Sequence, residues 1–159
     1  MAILTASGRA ALAAAVKRQA LHLSIGEGDE LWSTPPSEQT SQIALLKEVG
    51  RRVVDEVYFV ETNNNGEIVV PSGRFSISSA PTNNLFIRCK FDFNDAATST
   101  IREQALFVGT VTNPDLPLGQ KYFLPTEVVD AGILLVLENS VPIIRQPSTR
   151  ETFEFVVTF

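Results

Sequence analysis

The sequence has 159 residues, 44% of them hydrophobic, with 13 Lys and Arg against 18 Asp and Glu and a formal net charge of −5. This length suits a single domain with its own core, and the scattered basic residues argue against nucleic-acid binding. The one cysteine excludes an intramolecular disulfide, and we find no zinc-ligand spacing, signal peptide or membrane span. We therefore expect one β-rich structural domain over residues 1–159, without cofactor, metal, nucleic acid or membrane.

The first predicted element is a helix over about residues 5–20. Thr5 or Ser7 can cap it, and alanine has the highest helix propensity. Its apolar stripe, formed by Leu12, Val16 and Ala20, is narrow. Such a helix either covers the core or contacts another subunit.

An alternating segment follows, in which Leu21, Leu23 and Ile25 predict a strand that ends at Gly26. The only histidine, His22, lies in this strand without the partners that catalysis or metal binding needs. The carboxylates that come next lack the spacing of a calcium loop, so we expect a solvated turn.

A proline-rich segment over residues 33–37 is a candidate partner contact. It includes Pro35, and Trp32 just before it is expected to fill the core or an interface. Residues 37–47 are predicted to form a short helix whose inward-facing side chains are Ile43, Leu45 and Leu46.

Residues 52–78 are predicted to form a hairpin. Asn65 and Gly66 separate two strand-like runs, and both residue types tolerate the positive φ that a type I′ turn requires. The pattern therefore predicts a two-residue turn at this point.

Three further strands are predicted along the chain. Residues 85–93 alternate apolar and charged side chains, and Cys89 falls on the apolar face, which favours a core position over a nucleophile. The run 132–139 is continuously apolar, which is typical of a strand buried on both faces. The last strand places Phe153, Phe155, Val157 and Phe159 on one side, so residues 132–159 form the C-terminal strands.

The loop over residues 113–125 is rich in Pro and Gly and too long for a tight hairpin. We expect it to protrude and to present Leu116 and Tyr122 to a partner. The predicted fold class is α+β, mainly β: an antiparallel sheet or sandwich with the N-terminal helix and one further short helix.

The sequence shows no catalytic motif of a known class. A hydrolase that uses two carboxylates remains an alternative, because such a pair has no recognisable sequence pattern. A glycan-binding module would stack a sugar on Trp32, Tyr58 or Tyr122. With 10 Phe against 2 Tyr and 1 Trp, the aromatic residues favour packing instead.

Two short segments of the sequence can be compared with a known pattern. The segment "EVGR" supplies Glu48, Val49 and Arg51, which we call the first motif, and "IREQALF" supplies the second motif, Ile101, Arg102, Glu103, Leu106 and Phe107. Through these motifs, residues 45–125 resemble the N-terminal attachment domain of tail-fibre proteins of contractile-tailed bacteriophages, a family with an "EV-x-R" segment followed by an "IRE-x-GLF" segment. Ala105 stands in place of the family's glycine, the segment before Ile101 is longer, and "KYF" inverts a Tyr-Lys order.

The resemblance implies a non-enzymatic structural protein of the phage virion. It would be an oligomeric tail or baseplate component, with a trimer as one possibility, that links or anchors tail fibres. Its partners would be copies of itself and other tail or neck proteins, and it would be assembled in the host cytoplasm. The alternatives are a neck or collar protein at the head–tail junction and a receptor-binding module for host glycan. Because the sequence has no fibre shaft after this region, we expect an attachment module without the fibre.

Arg102 and Glu103 stand side by side in the second motif. We expect them to be buried or half-buried and to fix strand register more than to add stability, because desolvation offsets most of the Coulomb gain. Glu48 or Arg51 is the predicted partner, so at least one contact should join the two motifs.

Overall fold

The computed structural model describes residues 1–159 and is mostly antiparallel β structure. It has one α-helix, α1 (Ala6–Lys17), and one 3-10 turn, Pro125–Glu127. The strands are β1 (Leu21–Gly26), β2 (Glu48–Val53), β3 (Glu56–Thr62), β4 (Ile68–Val70), β5 (Gly73–Ile77), β6 (Asn84–Phe91), β7 (Thr100–Val108), β8 (Val111–Thr112), β9 (Tyr122–Phe123), β10 (Val128–Asp130), β11 (Ile133–Ile144) and β12 (Glu151–Thr158). The predicted fold class is confirmed. Neither α1 nor the 3-10 turn has the length and apolar character needed to cross a membrane.

The chain divides into two compact units. The first comprises Met1–Gln19, Val54–Cys89 and Thr152–Phe159, and the second comprises Ala20–Val53 and Lys90–Glu151. That the whole chain acts as one domain stays a prediction.

The first unit holds a five-stranded sheet in the order β12-β6-β3-β5-β4, together with α1. One core cluster joins Val60, Ile68, Val70, Phe75 and Phe86, with Val156 packed against it. On β6 the predicted apolar row is confirmed from Leu85 to Phe91, including buried Cys89, whereas Phe93 lies past the strand end and is 40% exposed. On β12, Phe153 and Val157 are buried, as the alternation predicted.

Helix α1 begins as predicted, because the Thr5 hydroxyl accepts a hydrogen bond from the Gly8 N–H at 3.1 Å. The predicted apolar stripe is wrong. Ala13 is the buried residue of the helix, Leu12 is half exposed, and Ala20 follows the last helical turn. The small inward face at Ala13 permits close packing of the helix.

The region 52–78 is antiparallel, but the predicted type I′ turn is wrong. Neither Asn65 nor Gly66 has a positive φ, and β5 lies between β3 and β4 in the sheet. Instead, the Asn63 side chain accepts the N–H of Asn65 at 3.0 Å and closes a local turn. The tight hairpin joins β4 to β5, where Val70 pairs with Gly73.

The second unit holds a five-stranded sheet in the order β11-β7-β1-β2-β9 and a small pair, β10-β8. All six residues of the central strand β1 are buried, which confirms the predicted strand. A core cluster of Leu45, Ala105 and Phe107 includes the half-buried Leu134 and Leu137.

Two predictions for the second unit are wrong. Residues 37–47 form turns and bends without a helix; Leu45 is buried, but Ile43 is 82% and Leu46 64% exposed. From Ile133 onward the run 132–139 belongs to β11, which is an edge strand with no buried residue. A continuous apolar run has the same pattern in a central strand and in an edge strand, so the sequence alone did not distinguish them.

Candidate functional site

The two motifs lie on either side of strand β1. The first motif opens β2 and the second runs along β7, and both strands pair antiparallel with β1. At one end of β1, Gly26 is opposite Glu48 on one side and Glu103 on the other. The fold therefore brings the motifs into one sheet, although they are some fifty residues apart along the chain.

The Arg51 guanidinium is buried, with 2% of its side chain exposed, and all of its bonds stay within the second unit. It forms a two-point ion pair with Glu48, with Nε to Oε1 at 2.8 Å and Nη2 to Oε2 at 2.9 Å. Its Nη1 donates to the Thr110 hydroxyl at 2.9 Å and to the Ala131 carbonyl at 2.8 Å. Arg51 thus fastens β2 to the loop after β7 and to the turn before β11.

Arg51 also makes the contact between the motifs. Its guanidinium carbon lies 4.2 Å from the centre of the Phe107 ring, a cation–π distance. The predicted contact between the motifs is confirmed. Ile101 and Phe107 are both buried, so these two motif residues pack in the core.

His22 lies in the same sheet and is 6% exposed. Burial, and next the positive charge of Arg51, lower the pKa of His22 to about 4. Its ring meets Phe123 edge-on at 5.8 Å between centres. His22 is therefore neutral at physiological pH and is part of the packed interior.

Glu103 is 1% exposed and binds the backbone of the segment that joins β1 to β2. Its carboxylate accepts N–H groups from Gly28 at 3.3 Å, Leu46 at 2.9 Å and Lys47 at 2.8 Å. Arg102 is half-buried and donates from Nη1 to the Glu27 carbonyl at 3.1 Å. Together they close the long connection over residues 27–47 at both of its ends.

The predicted side-chain partner of Arg102 and Glu103 is wrong. Strand β1 separates β7 from β2, and Arg51 forms its ion pair with Glu48 inside its own motif. The carboxylate of Glu103 is instead satisfied by backbone donors, which a sequence pattern does not reveal. Its burial was nevertheless predicted correctly.

Two glycines allow these close contacts. A Cβ at Gly26 would lie 2.8 Å from both the Glu103 Cγ and the Lys47 carbonyl oxygen. A Cβ at Gly50, inside the first motif, would collide with the Tyr122 hydroxyl and lie 2.9 Å from the Phe123 carbonyl oxygen. The glycine of "EVGR" is therefore required because β9 packs directly over it.

Tyr122 is half-buried and meets Phe91 edge-on at 6.2 Å between ring centres. Burial, and then the negative charges of Asp95 and Glu48, raise the pKa of Tyr122 to about 12. Its hydroxyl points inward over Gly50, so the ring is anchored in the unit.

The other candidate partner contacts differ in exposure. Pro35 is exposed, while Trp32 and Leu116 are half-buried. The most exposed apolar residue of the loop 113–125 is Leu118, which the sequence pattern did not single out. The contact role of these residues stays a prediction.

A second buried arginine was missed from the sequence. Arg145, 3% exposed, donates from Nη2 to the carbonyls of Asp92 at 2.8 Å and Asp95 at 3.1 Å. The Asp95 carboxylate in turn pairs with Arg52 Nη1 at 2.6 Å. The available signal was an arginine that directly follows the apolar run "VPII".

The charged residues of this site hold loops and strands of the second unit together. The bonds described above end on carboxylates, a hydroxyl and backbone groups of the same unit. No group of three or more His, Cys, Asp or Glu side chains is placed to hold a metal ion. This arrangement fixes the connection 27–47, the loop after β7 and the turn before β11 on a rigid sheet.

Comparison with known proteins supplies the family. No curated protein matches the chain. A family model described as "Baseplate wedge 3 tail fiber network component" matches residues 1–159. The match confirms the phage tail or baseplate domain that the two motifs indicated. The chain therefore belongs to the family of baseplate wedge 3 tail fiber network components of bacteriophage tails.

Proposed function

We propose that this chain is a non-enzymatic adaptor that links or anchors tail fibres in the baseplate. As a family member it is a component of the phage tail and interacts with other baseplate or tail-fibre components. The observation that carries the proposal is that the buried charged residues of the two motifs bind loops of their own unit. Arg51 and Glu103, both at most 2% exposed, bind groups of their own unit and hold its loops in place.

The mechanism is passive. Glu103 fixes the connection over residues 27–47, and Arg51 fixes the loop that follows β7. These segments present exposed apolar side chains, including Leu31 at 88% and Ile43 at 82%. Loops that are ordered before binding lose less conformational entropy in a complex, so a rigid sheet makes a better adaptor.

We further infer that copies of the chain associate through the first unit. That unit carries equal numbers of basic and acidic residues, so two copies meet without net repulsion. Arg88 there bridges Glu56 and Glu154, at 2.6 Å each. Its exposed apolar side chains include Val69 at 58% and Ile77 at 51%. Light scattering on the purified chain should give a multimer at micromolar concentration, and a monomer would contradict self-association.

The description of the family favours the baseplate over the neck. We further propose assembly in the host cytoplasm, with no nucleic acid or membrane as a partner.

Deletion of the gene tests the linking role. Phage lacking the chain are grown with and without a plasmid copy, and tail-fibre protein per particle is measured by quantitative mass spectrometry against the tail-tube protein. We expect particles without fibres, and restoration by the plasmid. A full complement of fibres on particles that lack the chain would exclude the adaptor role.

A further inference from the structure

Strand β11 is the outermost strand of the second unit's sheet, and its outer edge has no neighbouring strand. It is twelve residues long, no residue in it is buried, and Glu138 is its only charged residue. Ile133 is 72% exposed, Val141 67% and Ile144 72%. Apart from Pro142, which has no N–H, a long apolar edge of this kind presents backbone N–H and C=O groups that can pair with another strand.

A short segment, residues 33–42, covers the middle of this edge, and we call it the strap. The Glu38 carboxylate accepts the N–H of Asn139 at 2.8 Å, and the Asn139 side-chain amide donates to the Pro36 carbonyl at 3.0 Å. Since none of residues 33–42 is in a strand, the strap holds β11 through these bonds and not through a ladder.

The strap packs loosely against the sheet. A cleft of about 310 Å³ opens between its Glu38–Gln42 part and β11, lined on the strand side by Leu134, Leu135 and Leu137. A second cleft, of about 350 Å³, lies beside Trp32, Leu46 and Asn139. Both clefts open to the surface, and the leucines on the strand side of the first one offer an apolar wall against which aliphatic side chains can pack.

The charges around the strand indicate what can bind there. Glu38, Glu138 and Asp130 lie on or beside β11, and the arginine that follows the strand, Arg145, is buried and bonded within the unit. The second unit also carries the whole net charge of the chain, because the first unit is balanced. Two copies meeting along β11 would therefore oppose like charges, whereas a basic segment would be attracted.

We propose that the outer edge of β11, on either side of the Asn139 contact with the strap, binds an extended basic segment of another baseplate protein by strand addition. Backbone hydrogen bonds supply the affinity, the leucine-lined cleft takes aliphatic side chains, and lysine or arginine meets Glu138 and Glu38. This inference rests on the proposed adaptor function and identifies one surface through which it acts.

Site-specific photo-cross-linking tests the surface in assembled particles. The photoreactive residue p-benzoylphenylalanine replaces Val141 in the plasmid-borne chain, with Ile133 as a second position in case one variant is not incorporated. Val69, exposed in the first unit, serves as the matched control position. After irradiation, mass spectrometry should identify, from position 141 or 133, an extended segment of a different baseplate protein that contains lysine or arginine among aliphatic residues. The control position should not link to that segment.

Charge reversal gives a second readout. The variant Glu138→Lys replaces an attraction for a basic segment by a repulsion and should lower the cross-link yield about tenfold. Glu61→Lys, on an exposed position of the first unit, should not lower it. A cross-link from β11 to a second copy, or particles that carry fibres yet give no link from either position, would overturn strand addition. Particles that carry fibres but give no link would contradict strand addition at β11 and not the adaptor function. Fibres on particles that lack the chain would contradict the adaptor function itself.

Discussion

Replacing Arg51 by methionine should destabilise the protein strongly. Methionine fills a similar volume but leaves the Glu48 carboxylate without its two guanidinium bonds. Removing one partner of a buried ion pair costs about 3–5 kcal/mol. The lower end applies here for two reasons. Glu48 is 19% exposed and partly regains water, and the Thr110 hydroxyl still donates to the Ala131 carbonyl. A loss of about 3 kcal/mol corresponds to a fall in Tm of about 10 °C for a chain of this size.

Urea unfolding followed by far-UV circular dichroism measures this loss. The double variant Glu48→Met/Arg51→Met removes both charges and should recover at least half of the lost free energy of unfolding. Arg74→Met, on an exposed arginine, is the control and should leave stability unchanged. A single variant that loses less than about 1 kcal/mol, or a double variant less stable than Arg51→Met, would refute the view that Arg51 is a buried fastener.

Three further predictions concern the same unit. Glu103→Gln replaces a carboxylate that accepts three N–H groups and should lower the free energy of unfolding by about 2 kcal/mol. The amides of Gly28, Leu46 and Lys47 should then exchange their hydrogens faster. Glu138→Gln on the surface is the control, and equal exchange in both variants would contradict the role of Glu103. Because the pKa of His22 is lowered from 6.5 to about 4, the unfolded chain binds a proton in this window that the folded chain does not. The free energy of unfolding should therefore fall as the pH drops from 6.5 to 4, by at most about 3 kcal/mol. The fall should be smaller in His22→Gln, and an unchanged pH slope in that variant would count against burial of a neutral imidazole. Gly50→Ala should lower Tm, because the new methyl group would overlap the Tyr122 hydroxyl and ring and lie 2.9 Å from the Phe123 carbonyl oxygen. In a Tyr122→Ala background the same substitution should cost less, and a Gly50→Ala variant with an unchanged Tm would show that β9 does not pack there.

Much of the fold was predictable because alternation of apolar and polar residues reports strands directly. The strand of residues 21–26 and the apolar row on β6 were predicted for this reason. The errors arose where two structures share one pattern. The pair Asn65-Gly66 suits a hairpin turn, but the sheet order is set by tertiary packing, which places β5 against β3.

The candidate site was predictable only in part. The order of the two motifs indicated the family and the contact between them, and Arg51 on Phe107 makes that contact. The partners of Glu103 were not predictable, because backbone N–H groups are present at every residue except proline and leave no sequence signal. The exposure of β11 was missed because its apolar run has the pattern of a strand in the interior of a sheet.

A reconstruction of the assembled baseplate by electron cryomicroscopy tests the central claim most directly. The adaptor account predicts density for this chain in contact with both a tail-fibre protein and a wedge protein, with an added strand beside β11. Density at the head–tail junction, or a chain that touches no tail-fibre protein, would contradict it.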